Sequence, residues 1–290
     1  MSTEMDRFRT PLYTGFALVA FAANSLLCRL ALGESAIDAA SFTTIRLASG
    51  AATLSVIAAG LGARGPSKPV GNWISAALLF LYAATFSFAY VSLSAGTGAL
   101  ILFGAVQATM ILAAMGSGER LHSLEWAGLA LALLGLMVLV LPGLKAPSPE
   151  GCALMAIAGI AWGVYSLRGR GEANPLASTT ANFVRSSPLA VAVSVVALRS
   201  MNISGEGACL AVLSGALTSG VGYVVWYAAL RGLTATQAAT VQLSVPVLAA
   251  AGGVIFLSER VSLRLALSAI MILGGVGVAV SGRRNPGRAG

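Results

Sequence analysis

The sequence predicts an all-α integral membrane protein, with ten transmembrane helices arranged as two inverted five-helix repeats around a central cavity. Three observations carry that expectation. The chain is 57% hydrophobic and only 10% charged over its 290 residues, with a mean hydropathy of +0.85, whereas soluble domains hold about 25% charged residues. Its apolar residues fall in runs of about 20, the length a helix needs to cross about 30 Å of hydrocarbon. The charges at the breaks recur at matched register in the two halves of the chain.

Cutting at charges, prolines and glycine clusters gives spans over 12–32, 38–60, 72–92, 96–117, 123–141, 150–168, 175–198, 207–229, 235–257 and 262–281. The first follows Arg7 and Arg9, as a signal peptide would. It is long for such a segment, contains Asn24 and has a counterpart later in the chain, so it is expected to be retained. "GLGARGPSKPVGN" divides the second span from the third, and "PGLKAPSPEG" the fifth from the sixth; both carry turn chemistry. Barrel strands are about 10 residues long and alternate apolar with polar, which these runs do not. The N-terminus, every second loop and the C-terminus hold 11 Lys and Arg, the opposite loops hold 5, and Arg46 and Arg185 fall inside spans. Basic loops stay in the cytoplasm, so both termini are expected there.

A shift of 140 residues lays Glu119-Arg120 on Glu259-Arg260, Ala95 on Ala235, Leu93 on Leu233 and Gly135 on Gly275. A shift of 139 lays Ala22 on Ala161, Arg29 on Arg168 and Arg46 on Arg185. Residues 1–145 therefore form one repeat and 146–290 the second. Five spans per copy is an odd number, so the second copy is expected upside down in the bilayer. Inverted repeats mark secondary transporters, with the substrate site near the midplane between the halves. The two Glu-Arg pairs then fall on opposite faces and read as hairpin tips.

The stretch "QLSVPVLAAAGGVIFLSERVS" has an apolar run with a proline, then small residues, then a Glu before the last helix. "GAVQATMILAAMGSGERLHSLEWAGLALALLGLMVLVLPG" looks like its first-copy counterpart, with Val106 where Pro246 stands in the second. This pattern, together with Arg46 and Arg185 in the second helix of each copy, resembles the drug/metabolite transporter superfamily, in particular its EamA-like bacterial members. The resemblance covers nearly the whole chain. It implies a multi-pass carrier of the cell inner (plasma) membrane for small metabolites, most similar in length and span pattern to exporters of amino acids, including aromatic ones. Efflux of lipophilic drugs or quaternary amines is the alternative cargo, and a channel the alternative mechanism.

Replacing water around a polar solute takes polar and aromatic groups at mid-depth. Asn24, Tyr82, Gln107 and Trp162 lie near span centres, with Tyr223 and Gln242 toward the cytoplasmic side. Tyr82, Phe86 and Tyr90 recur every four residues and share a face; Tyr223, Trp226 and Tyr227 do the same in the eighth span, and Trp162 and Tyr165 are paired in the sixth. The expected substrate-contacting set is thus Asn24, Tyr82, Phe86, Gln107, Trp162, Tyr165, Tyr223 and Gln242. Arg46 and Arg185 are expensive at depth, about 2.5–3.5 kcal/mol each on insertion scales. They are read as structural or gating groups bracing helix ends symmetrically, with pairing to a substrate carboxylate as the alternative. Pro246 is expected to loosen the backbone as a hinge. Trp73 and Trp126 read as interface anchors.

The absences narrow the chemistry. No Asp or Glu falls near the middle of a span, and the one histidine, His122, sits at a hairpin. Transport is therefore expected to be facilitative or weakly proton-coupled, since proton pumps keep an acid or histidine relay inside. Cys28, Cys152 and Cys209 show no metal-ligand spacing, so no metal or cofactor is expected. No GxSG or HExxH sequence argues for an enzyme. The net charge of +8 comes without the basic-aromatic clustering of nucleic-acid binders. The expected partners are a small-molecule substrate and the bilayer, with no obligate protein partner evident.

Overall fold

The computed structural model describes residues 2–61, 71–116, 123–141, 146–169, 172, 174–230, 232–233 and 241–282. Glu119, Arg120, His122 and Ala235 lie outside the described residues. Among those described there are ten helical rods: α1 (Ser2–Gly33), α2 (Ala39–Gly60), α3 (Trp73–Tyr90), α4 (Ala95–Gly116), α5 (Ser123–Val140), α6 (Pro149–Arg168), α7 (Pro175–Val196), α8 (Gly205–Leu230), α9 (Ser244–Leu257) and α10 (Leu263–Gly282). Six of them, α1 to α4, α6 and α8, are long and apolar enough to cross a membrane. The helices within 123–139, 244–257 and 263–279 are apolar but shorter. Helix α7 has the length, but Ser178, Thr179, Asn182, Arg185 and Ser186 dilute its apolar character.

Polar caps start many of the rods. Asp38, Asn72, Ser148, Asn174 and Ser204 each accept a backbone N–H three residues on, satisfying one of the orphan donors of a helix start. Pro149 and Pro175 occupy the first helical position, where a missing N–H costs nothing. Pro246 is the third residue of α9, also within the first turn. In α8 the residues Ser214–Val221 form a π-helical segment, a wide turn often found at functional sites. There Gly215 lies against α2 so closely that a Cβ would stand 2.1 Å from the Arg46 carbonyl oxygen.

The rods run alternately between two ends of the bundle, as their end contacts require. One end joins Thr10 to Gly232 and Asn72 to Asn182 and Arg168; this is the termini end. The distal end joins Asp38 to Asn202, Gly151 to Ser92, and Ala95 to Glu259. Helices α2 and α7, α4 and α9, and α5 and α10 pack in pairs; α3 packs on α6 and α8 on α1; α4 packs on α6 and α9 on α1. Exchanging the first five rods for the last five turns these pairings into themselves. The α5–α10 pair is close enough that a Cβ on Gly128 would meet the Gly275 carbonyl oxygen at 2.4 Å, the small-residue contact that lets membrane helices approach. Trp73 and Trp126 are exposed at the starts of α3 and α5.

Candidate functional site

Five rods turn one face each toward a common point. On α1, Phe21, Asn24 and Ser25 lie at i, i+3 and i+4, and on α3, Tyr82 and Phe86 at i and i+4, so each set shares a face. Helix α6 adds Trp162, α4 adds Leu102 and Phe103, and the π segment of α8 and the turn after it add Thr218, Ser219 and Tyr223. These residues line a cavity of about 20 Å³. That is room for about one water and far below the roughly 300 Å³ and upward of a small-molecule pocket.

Its wall is aromatic. The Trp162 ring lies 4.9 Å from Tyr82, 5.1 Å from Tyr223 and 5.6 Å from Tyr165, centroid to centroid, within the range of favourable ring pairs. Its polar lining is neutral: Asn24 Oδ1 accepts from Ser214 Oγ at 2.6 Å, and Thr218 Oγ1 stands 3.1 Å from it. Behind the wall stands Arg46. Its Nη2 donates to the Tyr82 hydroxyl at 3.1 Å and its Nε to Ser219 Oγ at 3.4 Å. The guanidinium carbon sits 4.9 Å from the Phe86 ring centroid and 5.3 Å from that of Tyr82, close enough for cation–π attraction. Among the described residues, no Asp or Glu lines the cavity.

Two sets of contacts flank this point. Toward the distal end, Phe86 stacks edge-on against Tyr90 at 4.8 Å, and above Tyr90 lies a charged tie. Glu259 takes the backbone N–H of Ala95 at 3.0 Å and pairs with Arg29 Nε at 3.4 Å, while Arg29 Nη1 donates to the Tyr90 and Val91 carbonyls at 3.1 and 3.3 Å. The tie joins α1, α3, the start of α4 and the α9–α10 turn. Around it, Asp38 receives the Asn202 N–H at 3.0 Å and Asn202 donates to the Ser35 carbonyl at 2.8 Å. Partial burial opposes ionisation of Asp38, but N–H groups of Ser41, Asn202 and Ala40 outweigh it and hold the carboxyl below its usual range. Toward the termini end, Tyr165 stacks on Trp162 and lines a second, polar cleft with Ser75, Arg168, Glu172, Asn182 and Tyr227. The Trp162–Tyr165 pair is thus the partition between cavity and cleft. Arg168 there reaches Ser75 Oγ and Asn72 Oδ1, both at 3.2 Å.

Of the residues the sequence nominates, Asn24, Tyr82, Phe86, Trp162 and Tyr223 come together on the cavity, and Tyr165 stands at its partition. Gln107 is buried in α4 with its Nε2 unpartnered, and Gln242 is half-buried ahead of α9; neither lines the cavity. Pro246 is buried at the start of α9. The two arginines are not alike. Arg46 is 2% exposed at the centre, whereas Arg185 is half-buried beside Gly71 at the termini end. Sequence reasoning passed over Phe21, Ser25, Thr218 and Ser219, and gave Glu259 no role beyond a hairpin tip. The one available signal was the run of small and hydroxyl residues in "SGALTSG".

Comparison with known proteins agrees with this architecture. Residues 149–281 match the EamA-like transporter family. The chain is 51% identical over 276 residues to an uncharacterized protein of Pseudomonas aeruginosa, covering 95% of this chain and 96% of that one. It is 26% identical over 200 residues to an uncharacterized transporter of Archaeoglobus fulgidus, covering 67% and 70%. A solved crystal structure of a protein superposes with a TM-score of 0.64 at 22% identity, over 95% of this chain and 99% of that chain, a likeness of fold alone.

Proposed function

We propose that the chain, whose residues 149–281 match the EamA-like transporter family, moves small molecules across a membrane, and that its cargo is a small metabolite, an amino acid including aromatic ones, exported through the plasma membrane by alternating access. The observation that carries the reading is a small cavity between two sets of contacts, walled by rings and neutral polar groups from both halves of the chain. In this reading all ten rods span the bilayer, residues 1–145 and 146–290 are inverted copies, and the exchange symmetry of the helix pairings supports that arrangement. The termini end faces the cytoplasm. The structure then corresponds to a state shut to the outside by the Glu259 tie and toward the cytoplasm by the Trp162–Tyr165 pair. Carrying solute means breaking one closure at a time.

No acid lines the cavity, which favours facilitated exchange over proton-driven pumping. Counterflow of labelled aromatic amino acids in proteoliposomes tests the whole reading. Trp162→Ala and Tyr82→Ala are expected to slow exchange about three- to tenfold, the weight of one or two ring contacts. Wild-type rates in both variants would remove the cavity from the transport path. Exchange that runs only under an imposed pH difference would refute the facilitative mechanism.

A further inference from the structure

Arg46 is a permanent cation in the middle of an apolar bundle, and no carboxylate among the described residues answers it. The groups that face it are hydroxyls, rings and a thiol: Tyr82, Ser219, Tyr223, Phe86 and Cys28. Two of its three nitrogens have hydroxyl partners, and Nη1 is buried with no hydrogen-bond partner among the described residues. Buried charges are ordinarily paired, because a lone one loses its hydration for nothing. A purely architectural brace would tie itself to helix-end carbonyls, as Arg29 does at Tyr90 and Val91. It would also have an equivalent in the other repeat, yet Arg185 sits elsewhere. Arg46 instead stands one layer behind the cavity: Tyr82, Ser219 and Phe86, which it touches, all line it.

We infer that the missing counter-charge is carried in by the cargo, whose carboxylate takes the free Nη1 of Arg46 while its apolar or aromatic body lies against Trp162, Tyr223 and Phe21. The inference rests on the transport reading above and sharpens it to a substrate class. That class is a small carboxylate, anionic or zwitterionic, with an apolar or aromatic body. It excludes permanent cations such as quaternary amines, which would meet an unscreened guanidinium in a dry site. A guanidinium also suits a carboxylate geometrically, through two parallel N–H donors.

Four probes with one body and different charge test this on the purified full-length chain: phenylacetate, L-phenylalanine, phenylacetamide and phenethylamine. Binding is read by tryptophan fluorescence and by thermal shift in detergent. The two carboxylates are expected to bind about 10- to 100-fold more tightly than the amide and the amine, the weight of a charge-assisted hydrogen bond. Arg46→Met should erase the difference between phenylacetate and phenylacetamide, and Arg46→Lys should restore part of it. Equal affinity of the amine and the acids for the wild-type chain overturns the inference without any variant, so a poorly folding Arg46→Met does not protect it. An acid preference that survives in Arg46→Met overturns it too. If none of the four probes binds, the aromatic-cargo reading itself fails; if all bind alike, that reading stands and the role of Arg46 falls.

Discussion

At the distal end of the bundle Glu259 and Arg29 meet as ions, and Asp38 adds a second carboxylate that bridges α2 to the segment before α8. At the termini end the cross-half hydrogen bonds go to neutral acceptors: Asn182 Oδ1 accepts the Asn72 N–H at 3.2 Å, and the Arg168 guanidinium donates to a serine and an asparagine. The termini end holds a polar cleft immediately behind the Trp162–Tyr165 pair. Bonds to ionised groups contribute about 1.5–3 kcal/mol net against about 0.5–1.5 for neutral ones. The two ends thus differ in kind: the distal contacts pair a carboxylate with a guanidinium, and those of the termini end put the Arg168 guanidinium on neutral acceptors.

The largest expected effect follows from removing the Glu259 charge. Glu259→Ala strands the Ala95 N–H and leaves Arg29 without its anion, so the distal end should open about 10- to 100-fold more often. Cys28 is a native reporter, fully buried and next to Arg29. In a Cys152→Ser, Cys209→Ser background, a membrane-impermeant thiol reagent should label Cys28 correspondingly faster in Glu259→Ala. Asn182→Ala, at the other end, should leave that rate unchanged. Equal acceleration by both variants would erase the distinction between the ends.

The sequence made the rods and much of the wall legible, and the reason is depth. Asn24, Tyr82 and Trp162 lie near span centres and Tyr223 a little to the cytoplasmic side, and Tyr82 and Phe86 repeat at helical spacing, so depth and spacing nominate them. Gln107 and Gln242 met the same depth criterion, but depth says nothing about which way round the helix a residue points. Thr218 and Ser219 sit in a π segment, where the wider turn breaks the 3.6-residue spacing on which face assignment depends. Glu259 was hidden by backbone geometry. Ser258 takes φ of 52°, in the left-handed region that non-glycine residues seldom adopt, and the Glu259 N–H then folds back to the Gly253 carbonyl at 3.0 Å. That reversal carries the carboxylate inward, and no periodicity foretells it. Repeat register likewise treats Arg46 and Arg185 as equals, and only tertiary packing separates them.

A second, smaller effect separates the ends by pH. The Asp38 carboxyl is held below its usual range by backbone N–H donors. A carboxyl depressed in the folded state contributes stability that is fully present above its unfolded value, about 3.9, and that is lost as pH falls through the folded value. Thermal unfolding in detergent between pH 7 and pH 3 should therefore show an acid-side decline to which Asp38 contributes. Asp38→Asn should flatten part of that decline and lower stability at pH 7. An unchanged acid profile in the variant would show that the Asp38–Asn202 clasp adds nothing to the distal closure.

The smallest effect lies midway between the ends and should favour neither. Asn24 Oδ1 faces two hydroxyls, but they are not equivalent. The Thr218 hydroxyl has one hydrogen and two acceptors within reach, the Ser214 carbonyl at 2.7 Å and Asn24 Oδ1 at 3.1 Å. The shorter bond takes the hydrogen, leaving Ser214 Oγ at 2.6 Å as the true donor to Asn24. Interhelical polar bonds in membranes average about 0.6 kcal/mol. Ser214→Ala should cost about that much in unfolding free energy, and Thr218→Val close to none, since the backbone carbonyl it frees retains its helical partner. Neither should change Cys28 labelling, because the bond joins α1 to α8 at the cavity and belongs to neither closure. A Thr218→Val variant as destabilised as Ser214→Ala would reverse the assignment of the donor and make the π segment's threonine the group that fixes Asn24 in the wall.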